Sequence, residues 1–195
     1  DPDSVADILD VCPPVAPIDP WHTTEEWYWD KGLIAASPVV GDLDGDGNAE
    51  VVFVDAPSIY QPGDLVALDG RTGKELWRQV GVADAGSGVT IGDVDGDGQA
   101  EIFALRGSLW MQSAVAFDSD GKELWEGTSM YTIDAAGIAL ADMDDDGDIE
   151  VVVGLQIIDA ISGKKQADIA DPGYYVAYPM PYVTDMDGDG TKEIL

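Results

Sequence analysis

Short apolar runs rich in β-branched and aromatic residues alternate along the chain with acidic, glycine-containing segments. Clear examples are Glu50–Val54, Ala100–Leu105 and Ile149–Gly154. Such runs are too short for amphipathic helices, and their composition is typical of buried strands. The pattern therefore predicts an all-β protein built from short strands.

A second pattern recurs after each of these runs. The segment Leu65–Trp77 matches Ala114–Trp125, and the segment that begins at Ile157 is a weaker third copy. Each copy has an apolar run, a glycine-containing turn and a second run, which predicts a β-hairpin. The shared position of Trp77 and Trp125 favours a role in packing between repeats.

Four copies of one acidic loop lie between the predicted strands: Asp42–Glu50, Asp93–Glu101, Asp142–Glu150 and Asp185–Glu193. Each has carboxylates at the first, third, fifth and ninth positions and a glycine at the sixth, while the seventh residue can offer its carbonyl oxygen. Ca²⁺ takes six to eight oxygen ligands at roughly 2.3–2.6 Å. The predicted ligands are Asp42, Asp44, Asp46, Asn48 and Glu50; Asp93, Asp95, Asp97, Gln99 and Glu101; Asp142, Asp144, Asp146, Asp148 and Glu150; and Asp185, Asp187, Asp189, Thr191 and Glu193.

Two other interpretations of these loops are weaker. An EF-hand loop needs a glutamate at its twelfth position and flanking helices, but that position is Phe53, Ala104 and Val153 in the first three copies. Acidic β-turns use Asp and Gly for conformational reasons alone. That explanation does not account for several carboxylates around one point, whose mutual repulsion is costly without a cation.

The repeats have the period of a propeller. The loops begin at residues 42, 93, 142 and 185, and one period contains four predicted antiparallel strands, which is one blade. We therefore predict a β-propeller of about four blades, or part of a larger one. The fourth repeat stops in its second strand, and Glu25–Asp30 is predicted to be an outer strand that completes a blade in its own chain or in a neighbouring copy.

These features resemble the FG-GAP/VCBS repeat family, whose calcium-binding blades occur in integrin α-subunit head domains and many secreted bacterial proteins. The resemblance covers residues 35–195 and leaves 1–34 as an N-terminal extension. It implies a propeller that binds about four Ca²⁺ ions. The hairpins also resemble the repeat of quinoprotein-type propellers. Because the family serves adhesion, enzymes and scaffolds alike, the resemblance does not define one function.

The charge of the chain limits its partners. Thirty-nine acidic residues against nine basic ones give a net charge of −30, which argues against binding to nucleic acid or to an anionic membrane. No apolar run is long enough for a transmembrane helix, and the single cysteine, Cys12, cannot form a disulfide within this sequence. The chain begins at Asp1, which fits a processed protein. Millimolar calcium outside cells favours an extracellular or cell-surface location.

No catalytic pattern accompanies the loops, so we predict that the chain is not an enzyme. His22 has no partner pattern, and Thr72–Lys74 has the spacing of a turn rather than of a phosphate loop. We predict a structural or adhesive protein that contacts other extracellular proteins or copies of itself, and self-association of this kind would give a polymer or filament. Two alternatives are an enzyme like rhamnogalacturonan lyases, some of which have similar blades, and a lectin-like module that binds glycans. Aromatic residues available for the latter are Trp110, Tyr131, Tyr174, Tyr175, Tyr178 and Tyr182.

Overall fold

A computed structural model describes residues 24–108, 110–132, 136–170 and 180–195. The predictions for Cys12, His22, Tyr174, Tyr175 and Tyr178 lie outside these residues. The strands in the described ranges are β1 (Val39–Gly41), β2 (Glu50–Asp55), β3 (Pro62–Asp69), β4 (Glu75–Asp84), β5 (Thr90–Gly92), β6 (Glu101–Ser108), β7 (Met111–Phe117), β8 (Glu123–Glu126), β9 (Ile138–Ala141), β10 (Glu150–Val153), β11 (Gln156–Asp159), β12 (Lys165–Asp168), β13 (Val183–Thr184) and β14 (Glu193–Ile194).

The strands form antiparallel sheets that follow the predicted repeats. Strands β1–β4, β5–β8 and β9–β12 make three four-stranded sheets with neighbouring strands in chain order, and β13 pairs with β14. The prediction of an all-β protein with four-stranded antiparallel units is therefore confirmed, as are the three hairpins. A closed ring of sheets is not seen among the described residues, so the propeller arrangement stays a prediction.

Both faces of the central strands are covered, which explains why their sequences are continuously apolar rather than alternating. One core cluster lies between the first and second sheets and includes Val52, Val54, Leu65, Ala67, Ile102, Ala104, Val115 and Phe117. A second lies between the second and third sheets and includes Phe103, Leu105, Ala114, Ala116, Val151, Val153 and Ile158. Alternate residues of β6 and β7 thus belong to different clusters, because successive side chains point to opposite faces of a sheet.

The first strands of successive sheets lie side by side. A Cβ atom added at Gly41 would lie 2.6 Å from Cδ1 of Ile91, and one added at Gly92 would lie 2.8 Å from Cδ1 of Leu140. The hydroxyl of Thr90 also donates a hydrogen bond to the carbonyl of Ile138 at 2.9 Å. Because equivalent ends of β1, β5 and β9 are adjacent, the loops that follow these strands leave from the same side.

The N-terminal segment differs from the prediction. Residues Glu25–Asp30 form no strand. Instead Trp27 and Trp29 pack against the outer face of the first sheet, where the buried residues are Phe53, Val66 and Leu68. A backbone bridge between Ile34 and Asp55 holds the end of the segment. The prediction of a strand that completes a blade within the chain was wrong, because a strand needs a partner edge and this segment lies over a sheet face. Completion of a blade in a neighbouring copy stays a prediction.

Tryptophans of the fourth strands join consecutive sheets. Nε1 of Trp77 in the first sheet donates to the carbonyl of Ser119 in the hairpin of the second sheet at 2.9 Å. Nε1 of Trp125 in the second sheet donates to the carbonyl of Ala160 in the third at 2.8 Å. The predicted packing role of both tryptophans is therefore seen in the structure.

Candidate metal centres

Each acidic loop wraps around the carboxylate of its first aspartate. The backbone N–H of the glycine at the sixth position donates to Oδ2 of that aspartate in every copy. The distances are 2.8 Å for Gly47 and Asp42, 3.0 Å for Gly98 and Asp93, 3.2 Å for Gly147 and Asp142, and 3.0 Å for Gly190 and Asp185. These glycines have φ between 85° and 96°, a conformation that glycine adopts without steric cost. The glycine is therefore required by the turn itself.

The glutamate at the ninth position closes each loop, a role that the sequence did not reveal. Its Oε2 accepts the backbone N–H of the second loop residue in all four copies. The distances are 2.8 Å for Leu43 and Glu50, 3.0 Å for Val94 and Glu101, 2.7 Å for Met143 and Glu150, and 2.8 Å for Met186 and Glu193. Because this glutamate also begins the second strand of its sheet, one side chain fixes the loop to the sheet.

The folded loops gather carboxylates closely enough to share one cation. Groups whose ligand atoms lie within 4.8 Å of one another are Asp42, Asp44 and Glu50; Asp93, Asp95 and Glu101; Asp142, Asp144 and Asp146; and Asp185, Asp187 and Glu193. A cation with oxygen ligands at roughly 2.3–2.6 Å spaces opposite ligands by about twice that distance. The all-oxygen donor set and its spacing therefore fit Ca²⁺.

Not every predicted ligand joins these groups. The predicted carboxylate ligands absent from them are Asp46, Asp97, Asp148, Glu150 and Asp189. All four fifth-position aspartates, including Asp146, accept the backbone N–H of the seventh residue, as in Asn48 to Asp46 at 2.7 Å. The other three pairs are Gln99 with Asp97, Asp148 with Asp146, and Thr191 with Asp189. Ligation by these residues and by the seventh-position carbonyls stays a prediction.

Burial disfavours the charged form of three of the closing glutamates. Glu50, Glu101 and Glu150 are at most 8% exposed, and burial raises the pKa of each above its ordinary value, with the nearby aspartates raising it further. The backbone hydrogen bond from the second loop residue acts in the opposite direction. A bound cation would remove this cost by offsetting the clustered charge.

Neighbouring loops touch each other. The N–H of Ala100 in the second loop donates to the carbonyl of Leu43 in the first at 2.9 Å, and Lys192 of the fourth loop pairs with Asp145 of the third. The loops thus form a row on one side of the stacked sheets, as expected from equivalent connections in each repeat.

The other candidate residues contribute less. Trp110 and Tyr131 stack with ring centroids 5.9 Å apart and are 49% and 59% exposed. Tyr182 is exposed as well. Thr72–Lys74 forms the tight turn between β3 and β4. In the described part of the chain, no helix has the length and hydropathy to cross a bilayer.

Comparison with known families confirms the class of repeat. Residues 42–104 match the FG-GAP-like repeat. This segment contains the first two acidic loops and strands β2 to β5, which lie between them. The resemblance to FG-GAP-like repeats inferred from the sequence is therefore confirmed for residues 42–104. No curated protein matches the chain.

Several solved structures share the fold. The biofilm matrix protein Bap1 of V. cholerae aligns with a TM-score of 0.66 and 24% identity over 87% of this chain and 30% of that chain. The rhamnogalacturonan lyase YesW aligns with a TM-score of 0.56 and 22% identity over 80% of this chain and 34% of that chain. Rhamnogalacturonan lyase PL11 of Bacillus licheniformis aligns with a TM-score of 0.56 and 19% identity over 80% of this chain and 34% of that chain. The chain thus spans about a third of the length of these structures, and the likeness concerns the fold.

Proposed function

We propose that this chain is a non-catalytic, calcium-binding repeat protein whose ions hold a row of β-sheets together. The observation that supports this proposal is the recurrence of one loop geometry. Each of four loops places three carboxylates with ligand atoms within 4.8 Å of one another, and each loop joins the first two strands of its repeat. Ca²⁺ suits a flexible site of carboxylate and carbonyl oxygens.

The ion would act on stability through the loops. In its absence the clustered carboxylates repel one another, so each loop opposes the pairing of the strands that it joins. In its presence the same carboxylates become ligands, and binding free energy adds to folding free energy. Adjacent loops would then be ordered together because they share backbone hydrogen bonds, as between Ala100 and Leu43.

We further propose that the sheets are propeller blades. Adjacent first strands and tryptophan links between successive sheets support radial repetition around a common axis. About four blades, or part of a larger propeller, fits the repeat count.

An extracellular structural or adhesive role fits this picture. Outside cells, millimolar calcium keeps sites of modest affinity occupied, and the fold neighbour Bap1 is a biofilm matrix protein. With a net charge of −30, a partner would be another extracellular protein or a second copy bridged by cations rather than a polyanion. Light scattering of the protein with 5 mM calcium or with chelator, at several protein concentrations, tests self-association; an unchanged monomer mass would contradict it.

Calcium binding is tested by melting the protein in calcium and in excess chelator. We expect chelation to lower the melting temperature and added calcium to restore it. Asp44→Asn removes one carboxylate charge from the predicted ligands of the first loop and should reduce this difference, whereas Asp120→Asn removes the same charge from an exposed hairpin residue outside the loops and should not. Identical melting curves in calcium and chelator would refute the proposal.

Binding of polysaccharide is a second candidate, favoured by the exposed stack of Trp110 and Tyr131. Aromatic faces of this kind can pack against sugar rings. A glycan array probed with the protein and with Trp110→Ala tests the lectin-like alternative, and an assay for unsaturated uronides released from rhamnogalacturonan tests the lyase-like one. Loss of glycan binding in Trp110→Ala would support the lectin-like role.

A further inference from the structure

We propose that Lys192 of the fourth loop lowers the cation affinity of the third loop. Asp145 of the third loop holds the lysine beside the site through an ion pair. This inference rests on the proposed calcium binding. It predicts that the third loop binds Ca²⁺ more weakly than the first two, and that its occupancy is linked to the docking of the fourth loop.

The anchor is an unusual residue at a constrained position. The fourth residue of the other loops is Gly45, Gly96 or Gly188, with φ of 75°, 76° and 78°, whereas the third loop has Asp145 with φ of 60°. A residue other than glycine is uncommon in this conformation, although Asp tolerates it better than most. The side chain that replaces glycine points out of its own loop and pairs with Nζ of Lys192.

The third loop is also wrapped less tightly than the others. In the first, second and fourth loops the N–H of the fourth residue donates to Oδ1 of the first aspartate, at 2.9, 2.7 and 2.7 Å. The N–H of the fifth residue donates to the third-position carboxylate at 3.1, 3.0 and 3.1 Å. Neither bond occurs in the third loop, where every residue is described. Its ligands are therefore held by fewer internal hydrogen bonds.

Two buried oxygens of the third loop lack donors. Oδ1 of Asp142 and Oε1 of Glu150 are inaccessible to solvent and have no hydrogen-bond partner among the described residues, although the side chain of Gln166 interacts with the carboxylate of Glu150. Glu150 is only 1% exposed. Buried carboxylate oxygens without donors are costly, and a cation in the loop would satisfy them.

Lys192 brings a positive charge to this same loop. Its ammonium pairs with Asp145, which stands between the predicted ligands Asp144 and Asp146 in the third loop. The equivalent residues of the other loops are Ala49, Ala100 and Ile149, which carry no charge. Only the third loop therefore faces a tethered cation from its neighbour among the described loops.

The two positive charges oppose each other. An ion that enters the third loop must bind beside the ammonium or displace it, so the lysine lowers the affinity for the ion. By linkage, the ion weakens the contact between Lys192 and Asp145 to the same extent. The third site would thus respond to calcium over a higher concentration range than the first two and would loosen the fourth loop when filled.

The experiment is a calorimetric Ca²⁺ titration of the whole chain at 0.1 M ionic strength. We expect the wild type to show at least one site weaker than the rest. Lys192→Gln should strengthen the weakest site by about fivefold, from the Coulomb energy of the two charges in a largely aqueous setting. Lys122→Gln, which removes an exposed hairpin lysine, is the matched control. Lys192→Met should strengthen the weakest site as well if Lys192→Gln folds poorly. In an Asp145→Gly background, where the lysine has lost its anchor, Lys192→Gln should have a smaller effect than in the wild type.

The outcomes separate the two proposals. Equivalent sites in the wild type, or an affinity change in Lys192→Gln no larger than in Lys122→Gln, would overturn the role of Lys192 while leaving calcium binding intact. Absence of any Ca²⁺ binding would overturn the proposed function itself. Raising the salt concentration should shrink the difference between Lys192→Gln and the wild type, because screening weakens exposed charge interactions.

Discussion

Trp27 and Gly70 are joined by the same hydrogen bond that links the sheets to one another. Nε1 of Trp27 donates to the carbonyl of Gly70 at 2.9 Å, just as Trp77 donates to Ser119 and Trp125 to Ala160. In each case the acceptor directly follows the aspartate that begins the hairpin turn. The N-terminal segment therefore caps the first sheet with the contact that a preceding sheet would make.

The indole N–H of the linking tryptophans should contribute measurably to stability. Trp77→Phe keeps an aromatic ring but leaves the carbonyl of Ser119 without its donor, so we expect a loss of about 1–2 kcal/mol in the free energy of unfolding. Urea denaturation measures it. Trp110→Phe changes a half-exposed tryptophan and should cost less; equal losses would contradict the proposed role of the link.

The hairpin-turn glycines that contact the linking tryptophans should tolerate substitution by Ala less well than other glycines with the same backbone conformation. Gly163 has φ of 69°, and an added Cβ would lie 2.5 Å from the Trp125 ring. Gly81 has φ of 68° and open space around the added atom. Both changes to Ala carry backbone strain, but only Gly163→Ala displaces an indole, and overpacking costs about 1–3 kcal/mol. A larger loss in Gly81→Ala by denaturation would argue against the packed contact.

The closing glutamate should have opposite effects with and without calcium. Glu50→Gln keeps an oxygen that can accept the N–H of Leu43 but removes a buried charge. We expect the calcium-free protein to be unchanged or more stable, because burial disfavours the charged carboxyl. We expect calcium affinity to fall, because the amide is a weaker ligand. Unfolding curves in chelator and calorimetry in calcium measure the two effects, and a destabilised calcium-free variant with normal affinity would contradict this account.

A surface carboxylate outside the loops should give a defined pH dependence. The hydroxyl of Ser113 donates to Glu126 at 2.6 Å, and this bond, followed by Arg106, lowers the pKa of Glu126 below its ordinary value. Because the pKa is lower in the folded state, ionised Glu126 stabilises the protein at pH values above its unfolded-state pKa near 4.5. This stabilisation is lost as the pH falls through the folded-state pKa.

Ser113→Ala should therefore raise the pKa of Glu126 in the folded state. The free energy of unfolding should then fall less between neutral and acidic pH than in the wild type. An NMR titration of the Glu126 side chain measures the shift directly. Ser87→Ala, which removes a buried hydroxyl bonded to Asp84, is the control that should leave the Glu126 pKa unchanged.

The acidic loops and the hairpins are determined locally by the sequence. All carboxylates of one loop lie within nine residues, and the turn depends on a glycine at its sixth position, so the cluster forms whatever packs around it. The strands could be predicted for a similar reason, since a continuously apolar run such as Val51–Val54 is stable only when buried.

Only the tertiary structure decided how these local units are used. Lys192 and Asp145 are 47 residues apart, and no spacing rule relates them. The strand predicted at Glu25–Asp30 has suitable residues, but what a tryptophan-rich segment pairs with depends on which surface remains uncovered. That surface is the outer face of the first sheet, a property of the stacked sheets that no single segment carries in its own sequence.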